Sequence, residues 1–310
     1  MVPSSSTTTS TSARTNMMRS VSSRTKDTAD TTRNTQNSHQ KKDGWSTVHV
    51  FYGNSDLITQ DSAIPSGYFG ENKWFSQFRQ DEIVSRLLRG KRNGYFVDLA
   101  ANDAVRISNT YALESQFGWT GLCLEPNERY WPGLAYRTCT VVGAVVGNTT
   151  MDQVAFKFPK EKAPKGGIVG KEFDNHEAGG KGETRQRYTV TLKDIFERFD
   201  TPKVIDYLSL DVEGAELFIM SYFPFSEYRI QILTVERPNT ELSKLLEKEG
   251  YVLLKTLHAN TETLWVHESA LDDDSDSTLD QQALKEINTE EYKYREGKAQ
   301  ERIAPEDQKS

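Results

Sequence analysis

The sequence predicts an α/β fold: a seven-stranded, mostly parallel sheet with helices on both faces and a C-terminal antiparallel hairpin. Three observations carry that prediction. Short apolar runs alternate with amphipathic segments through the central chain, the pattern of strands buried on both faces by crossover helices. Several of these runs close on an acidic residue and break at once into small or polar residues, as at Asp98, Glu125, Asp211 and Glu236. The last two apolar runs are separated by only Ala259-Asn260-Thr261, too short for a crossover, so they must pair antiparallel.

Taken in order, Ser76 is placed to cap an amphipathic helix over Gln77 to Leu88, and Gly90 and Gly94 end it before the strand Tyr95–Leu99. Ser108 opens a helix over Asn109 to Phe117, stopped by Gly118, and the second strand is Thr120–Leu124. A short helix near Arg129–Ala135 precedes a third strand, Thr140–Val146. A Lys- and Gly-rich excursion occupies about 157–183, with His176 among its glycines. So long a loop is uncommon unless it is a lid, a binding loop or disordered; as a lid it would bring Lys165 or Lys171 toward an anionic acceptor. Tyr188-Thr189-Val190 leads into the helix Leu192–Phe199. The fourth strand is Val204–Leu210, followed by a helix from Ala215; the fifth is Ile230–Val235, followed by the helix Leu242–Lys248. Tyr251–Leu257 and Thr263–His267 form the closing hairpin.

Composition sets the boundaries. Of 310 residues, 1–44 are poor in large apolar side chains and read as a disordered Ser/Thr-rich tail. An α/β domain is expected over 45–270, and an acidic polar tail with a short helix, on Leu279, Ala283, Leu284 and Ile287, over 271–310. A net charge of −7 gives no electrostatic reason to expect nucleic acid as a partner. No apolar run is long enough for a membrane span. The first acid follows Arg14, Arg19, Arg24 and Lys26, a balance shared by organelle transit peptides and plain flexible tails. The expected location is therefore intracellular, cytoplasmic or organelle-targeted. The two cysteines, Cys123 and Cys139, are expected reduced and buried, without metal spacing. Oligomeric state is not encoded in any pattern visible here.

In open α/β sheets, ligands bind beyond the carboxyl ends of the strands. Acidic strand ends a short helix apart suit a nucleotide, because a carboxylate accepts hydrogen bonds from ribose hydroxyls. A Gly-x-Gly-x-x-Gly turn, the mark of a dinucleotide site, is missing after Leu99.

Five pieces resemble the FkbM family of S-adenosylmethionine-dependent methyltransferases. They are Phe96-Val97-Asp98-Leu99-Ala100-Ala101-Asn102-Asp103-Ala104, Ser108-Asn109-Thr110-Tyr111, Gly118 to Asn127 with its Glu125-Pro126-Asn127 end, Ile205 to Glu216 with its Asp211-Val212-Glu213-Gly214-Ala215-Glu216 block, and Thr234-Val235-Glu236. They stand in the family's order across about residues 75–268. The resemblance implies a Rossmann-like class I methyltransferase fold and methylation of a hydroxyl on a sugar, glycan or small metabolite. It implies S-adenosylmethionine as cofactor, oriented by Asp98, Ala100, Asn102, Asp103, Glu125 and Asn127, with Glu125 on the ribose. Asp211 and Glu213, with Glu236 beside them, are expected near the reactive methyl. They would serve as general base or hold a divalent cation that acidifies the acceptor hydroxyl. Glu216 is expected to act through its neighbours. His258 is a rival base at the hairpin tip; His267 is expected to be structural. One departure stands out: Ala100 and Ala104 occupy positions where the family usually carries glycine, so two added methyls threaten to narrow the cofactor cleft. Two alternatives remain open: a non-catalytic binding protein on the same fold, and an NAD-dependent oxidoreductase.

Overall fold

A computed structural model describes residues 49–52, 73–159, 166–176, 182–258, 261–271 and 279–292. The N-terminal tail, Lys165, Gly179, Gly180, the Ala259-Asn260 pair and the acidic run after Leu271 lie outside the described residues.

Among the described residues the main sheet has eight strands. In chain order they are β1 (His49–Tyr52), β2 (Tyr95–Leu99), β3 (Thr120–Leu124) and β4 (Thr140–Gly143). Three short strands of an insertion follow, β5 (Val145–Val146), β6 (Gln153–Pro159) and β7 (Gly167–Ile168), with a longer one, β8 (Gly182–Val190). The main sheet resumes with β9 (Val204–Leu210), β10 (Arg229–Glu236), β11 (Tyr251–His258) and β12 (Glu262–His267). Across the sheet the order is β1-β4-β3-β2-β9-β10-β12-β11. The run from β4 to β10 is parallel, and the order reverses between β2 and β9, which puts the topological switch point there. β12 pairs antiparallel with both β10 and β11, the expected hairpin. The seven expected strands all enter the sheet, but the third is shorter than expected: Thr140–Val146 breaks at Ala144, and Val145–Val146 joins the second sheet as β5. β1 adds an antiparallel edge against β4.

Among the described residues the α-helices are α1 (Gln80–Leu87), α2 (Tyr111–Phe117), α3 (Trp131–Leu134), α4 (Leu192–Arg198), α5 (Glu216–Met220), α6 (Thr240–Lys248) and α7 (Gln281–Thr289). Alternation along the strands divides the core. Val97, Leu122 and Leu124 face Leu192, Phe196, Ile219 and Leu246 of α4, α5 and α6. Phe96, Cys123 and Tyr207 face Ile83, Leu113 and Ile287 of α1, α2 and α7. At roughly 25 cal/mol per Å² of apolar surface removed from water, these two layers are the main source of stability. Among the described residues no helix is long and apolar enough to cross a membrane.

Several local expectations need correction. The helix α1 starts at Gln80, not Gln77; Arg79 (φ +65°) sits at its N-cap, and the Ser76 hydroxyl is spent on the Asp81 carboxylate instead. The excursion is not a plain loop: β6 and β8 pair over seven positions, and β5 and β7 flank them in a second, four-stranded sheet. The two cysteines are bonded to each other, with 6.1 Å between their Cα atoms. Cys123 lies opposite Val141 in the β3–β4 register, so Cys139, two residues earlier on the same face of the neighbouring chain, falls within disulfide reach.

Candidate active site

Beyond Leu99 the chain turns through Ala100 (φ +60°) and Asn102 (φ +53°). The amides of Ala100 and Ala101 both donate to the Leu124 carbonyl, at 2.9 and 3.3 Å, which draws this loop over the end of β3. Ala100 therefore holds the left-handed conformation that glycine adopts freely, at a cost of about 1–2 kcal/mol for an L-residue. Ala104 is buried, and its φ is not in that region.

Glu125 stands at the centre of the loop. Its two carboxylate oxygens accept separately from the amides of Asn102 (2.9 Å) and Asn127 (2.7 Å). Burial pushes its carboxyl up to about 7, partly offset by the two amides and raised further by the nearby Asp98 charge. A largely apolar cavity, partly open to solvent, lies against it. Ala100, Asn102, Glu125, Asn127, Tyr130, Val145, Val212 and Ala215 are among the residues that line it. Asp98 is not in that lining. It accepts from Thr110 Oγ1 at 2.6 Å and is buried beside Arg137, which itself pairs with Glu114 at 3.1 Å. Asp103 closes its own turn, accepting from the amides of Val105 and Arg106.

The other half of the site is the loop after β9. Glu213 (φ +54°) and Gly214 (φ +93°) make a sharp turn, and Glu216 caps it from the start of α5, accepting from the amides of Val212 (3.0 Å) and Gly214 (3.2 Å). Burial pushes the Glu216 carboxyl up to about 7. Asp211, Glu213 and Glu236 each bring one oxygen within 4.8 Å of the others. Burial and its hydrogen-bonded neighbour Glu236 hold the Asp211 carboxyl well above the usual carboxylate range. Glu262 lies opposite Glu236 in the β10–β12 register, and burial raises it to about 8. Val212 and Ala215 form this loop's part of the cavity wall, whereas Asp211, Glu213 and Glu236 are not among the lining residues. His258 bonds Thr261 Oγ1 through Nδ1 at 2.8 Å and stacks on Phe78, with 4.8 Å between ring centres. His267 bonds the Ser269 hydroxyl through Nδ1 at 2.8 Å. Lys171 is exposed, and its carbonyl lies 3.2 Å from His176 Nδ1.

The insertion supplies the remaining wall. Phe156, Gly166, Gly167 and Ile168 line the cavity, and the segment 166–176 rests on the loop after β9. A Cβ at Gly167 would lie 3.4 Å from that of Glu213, so the two backbones approach closely there. The Asp174 amide donates to the Glu213 carbonyl at 3.2 Å.

The family model of the methyltransferase FkbM domain matches residues 98–253, from the strand that carries Asp98 into β11. The chain belongs to the FkbM methyltransferase family. No curated protein and no solved structure matches it. As an FkbM methyltransferase it uses S-adenosylmethionine and acts on a small acceptor substrate. The matched span contains the Glu125 loop, the acid group and the whole insertion. Sequence reasoning missed Arg237, which follows Glu236 directly; its signal was a cation placed at an acidic strand end. The excursion was expected as a lid, a binding loop or a disordered segment, and its Gly166, Gly167 and Ile168 line the cavity.

Proposed function

We propose that this FkbM enzyme methylates a hydroxyl on a sugar, glycan or small metabolite, with its cofactor lying along the cavity beside Glu125. One observation supports this reading above others: a buried carboxylate at the end of β3, with both oxygens fixed by backbone amides and its open side on an apolar-walled cleft. When bound, S-adenosylmethionine supplies a methyl group activated by its sulfonium. Glu125 would accept from the ribose hydroxyls, while Asn102 and Asn127 hold it in place. Val145 and Tyr130 would flank the base, and Val212 and Ala215 would pack along the remainder. Asp98 would act on the cofactor only through the loop it anchors.

The acceptor oxygen would form its new bond to the methyl carbon as the carbon–sulfur bond breaks, leaving the thioether product, and the hydroxyl proton would pass to a carboxylate. Asp211 and Glu236 share a hydrogen bond, so the pair, not Asp211 alone, is the proton acceptor. In-line orientation is expected to supply much of the rate. The oxygens of Asp211, Glu213 and Glu236 also suit a hard divalent cation, with Arg237 competing for two of them. Adding Mg²⁺ or EDTA to the active enzyme separates these two uses of the carboxylates.

The test is titration calorimetry with S-adenosylmethionine and its thioether product, followed by transfer of a labelled methyl to a panel of polyols and glycans. Binding with transfer to a hydroxyl supports the reading. Absence of binding at millimolar cofactor, or methyl label found only on nitrogen, overturns it.

A further inference from the structure

At the end of β10 the chain turns at Arg237 (φ +43°), whose amide donates to the Thr261 carbonyl at 2.8 Å. This turn carries the guanidinium back across the carboxyl ends of the strands. There Nη2 meets Glu236 at 2.8 Å, Glu213 at 3.1 Å and Asp174 at 2.5 Å. The three carboxylates belong to three different parts of the site: the end of β10, the loop after β9, and the insertion that roofs the cavity. The surrounding contacts are close. Phe173 meets the Phe218 ring edge-on at 5.5 Å, and a Cβ at Gly214 would lie 2.7 Å from the Asp174 nitrogen.

We propose that Arg237 is a positioning residue, which pins the roof segment over the bound cofactor through Asp174 while it holds Glu213 and Glu236 beside Asp211. The proposal rests on the cofactor occupying the cavity under Gly167 and Ile168. A ligand there leaves past the roof, and lifting segment 166–176 separates Asp174 from the guanidinium.

The experiment is stopped-flow tryptophan fluorescence on the full chain with S-adenosylhomocysteine, for the wild type, Asp174→Asn, Arg237→Gln and the double variant. Each single change should raise the dissociation rate about tenfold, with the association rate within about threefold, since interface losses fall mainly on release. The double variant should dissociate no faster than the worse single one, because all three lose the same interaction. Single variants that release the ligand at the wild-type rate overturn the proposal, as does a double variant whose effect is the product of the two. Asp174→Asn changes a largely exposed carboxylate, so it keeps the test valid if Arg237→Gln folds poorly. A wild type that binds nothing removes the cavity reading and the proposal together; normal wild-type binding with unchanged variants removes the proposal alone.

Discussion

Replacing Glu125 by Gln tests the centre of the site, because the change keeps shape and removes charge. In the wild type each oxygen already accepts one amide, from Asn102 or Asn127, so the remaining lone pairs are what a ribose can use. Hydrogen bonds to a charged acceptor are worth about 1.5–3 kcal/mol each. Burial offsets part of that: with the carboxyl up to about 7, roughly half the protein must lose a proton to bind at pH 7, a cost of about 0.4 kcal/mol. Gln also turns its NH₂ toward one of the two amides, where no acceptor then remains. Together these place the loss at about 2 kcal/mol, or roughly thirtyfold in Kd. The sign of the pH dependence follows from the same shift. Binding favours the ionised carboxylate, so wild-type affinity for S-adenosylhomocysteine should rise about tenfold from pH 6 to pH 8, with its midpoint near the raised value. Calorimetry at pH 6, 7 and 8 gives both numbers. A Glu125→Gln variant that binds within twofold of wild type, with the same pH profile, refutes the placement of the ribose.

Ala100→Gly should tighten S-adenosylhomocysteine binding by removing a methyl from the cavity wall, and leave stability within about 1 kcal/mol, since relief of the left-handed conformation opposes a gain in unfolded-chain entropy; weaker binding in calorimetry argues against a crowded cleft. Glu262 has a native pKa raised above its ordinary one, so the folded state binds the extra proton and stability falls as pH rises from about 4.5 to about 8. Glu262→Gln should thus be nearly neutral at pH 5 and more stable than wild type by roughly 2–4 kcal/mol at pH 8.5, read by urea denaturation; equal curves at both pH values contradict the burial argument. Cys139→Ser opens a ring with a sequence separation of 16, and should cost about 3 kcal/mol under oxidising conditions and little in excess reductant. Intact mass under non-reducing conditions, showing two unmodified thiols, would refute the bond.

Much of the fold was legible because the signals were local. The strands at 95–99, 120–124 and 204–210 are apolar runs bounded by glycines or polar turns, and the three-residue turn forced the final hairpin. Glu125 was legible for the same reason, as an acid closing an apolar strand. What stayed hidden depended on partners distant in sequence. The β6–β8 ribbon stayed hidden because β8 is polar or charged from Glu183 through Arg187 and carries no apolar run there. The cysteine bond follows from the register of β3 against β4, which no spacing of two residues reveals. Arg237 acquires its three partners only when the ends of β9 and β10 lie side by side under the insertion. The helix start at Gln80 was missed because Ser76 carries a cap's chemistry but spends it five residues along.

The second sheet stands on two feet: β5 leaves β4 after a single residue, and β8 runs within one residue of α4. Both feet are locked to each other, Val145 against Thr189 and Val146 against Val190. Changes of length between β6 and β8 can thus leave every main-sheet register intact. Changes at Gly166, Gly167 or Ile168, by contrast, would reshape the chamber beside Glu125 itself.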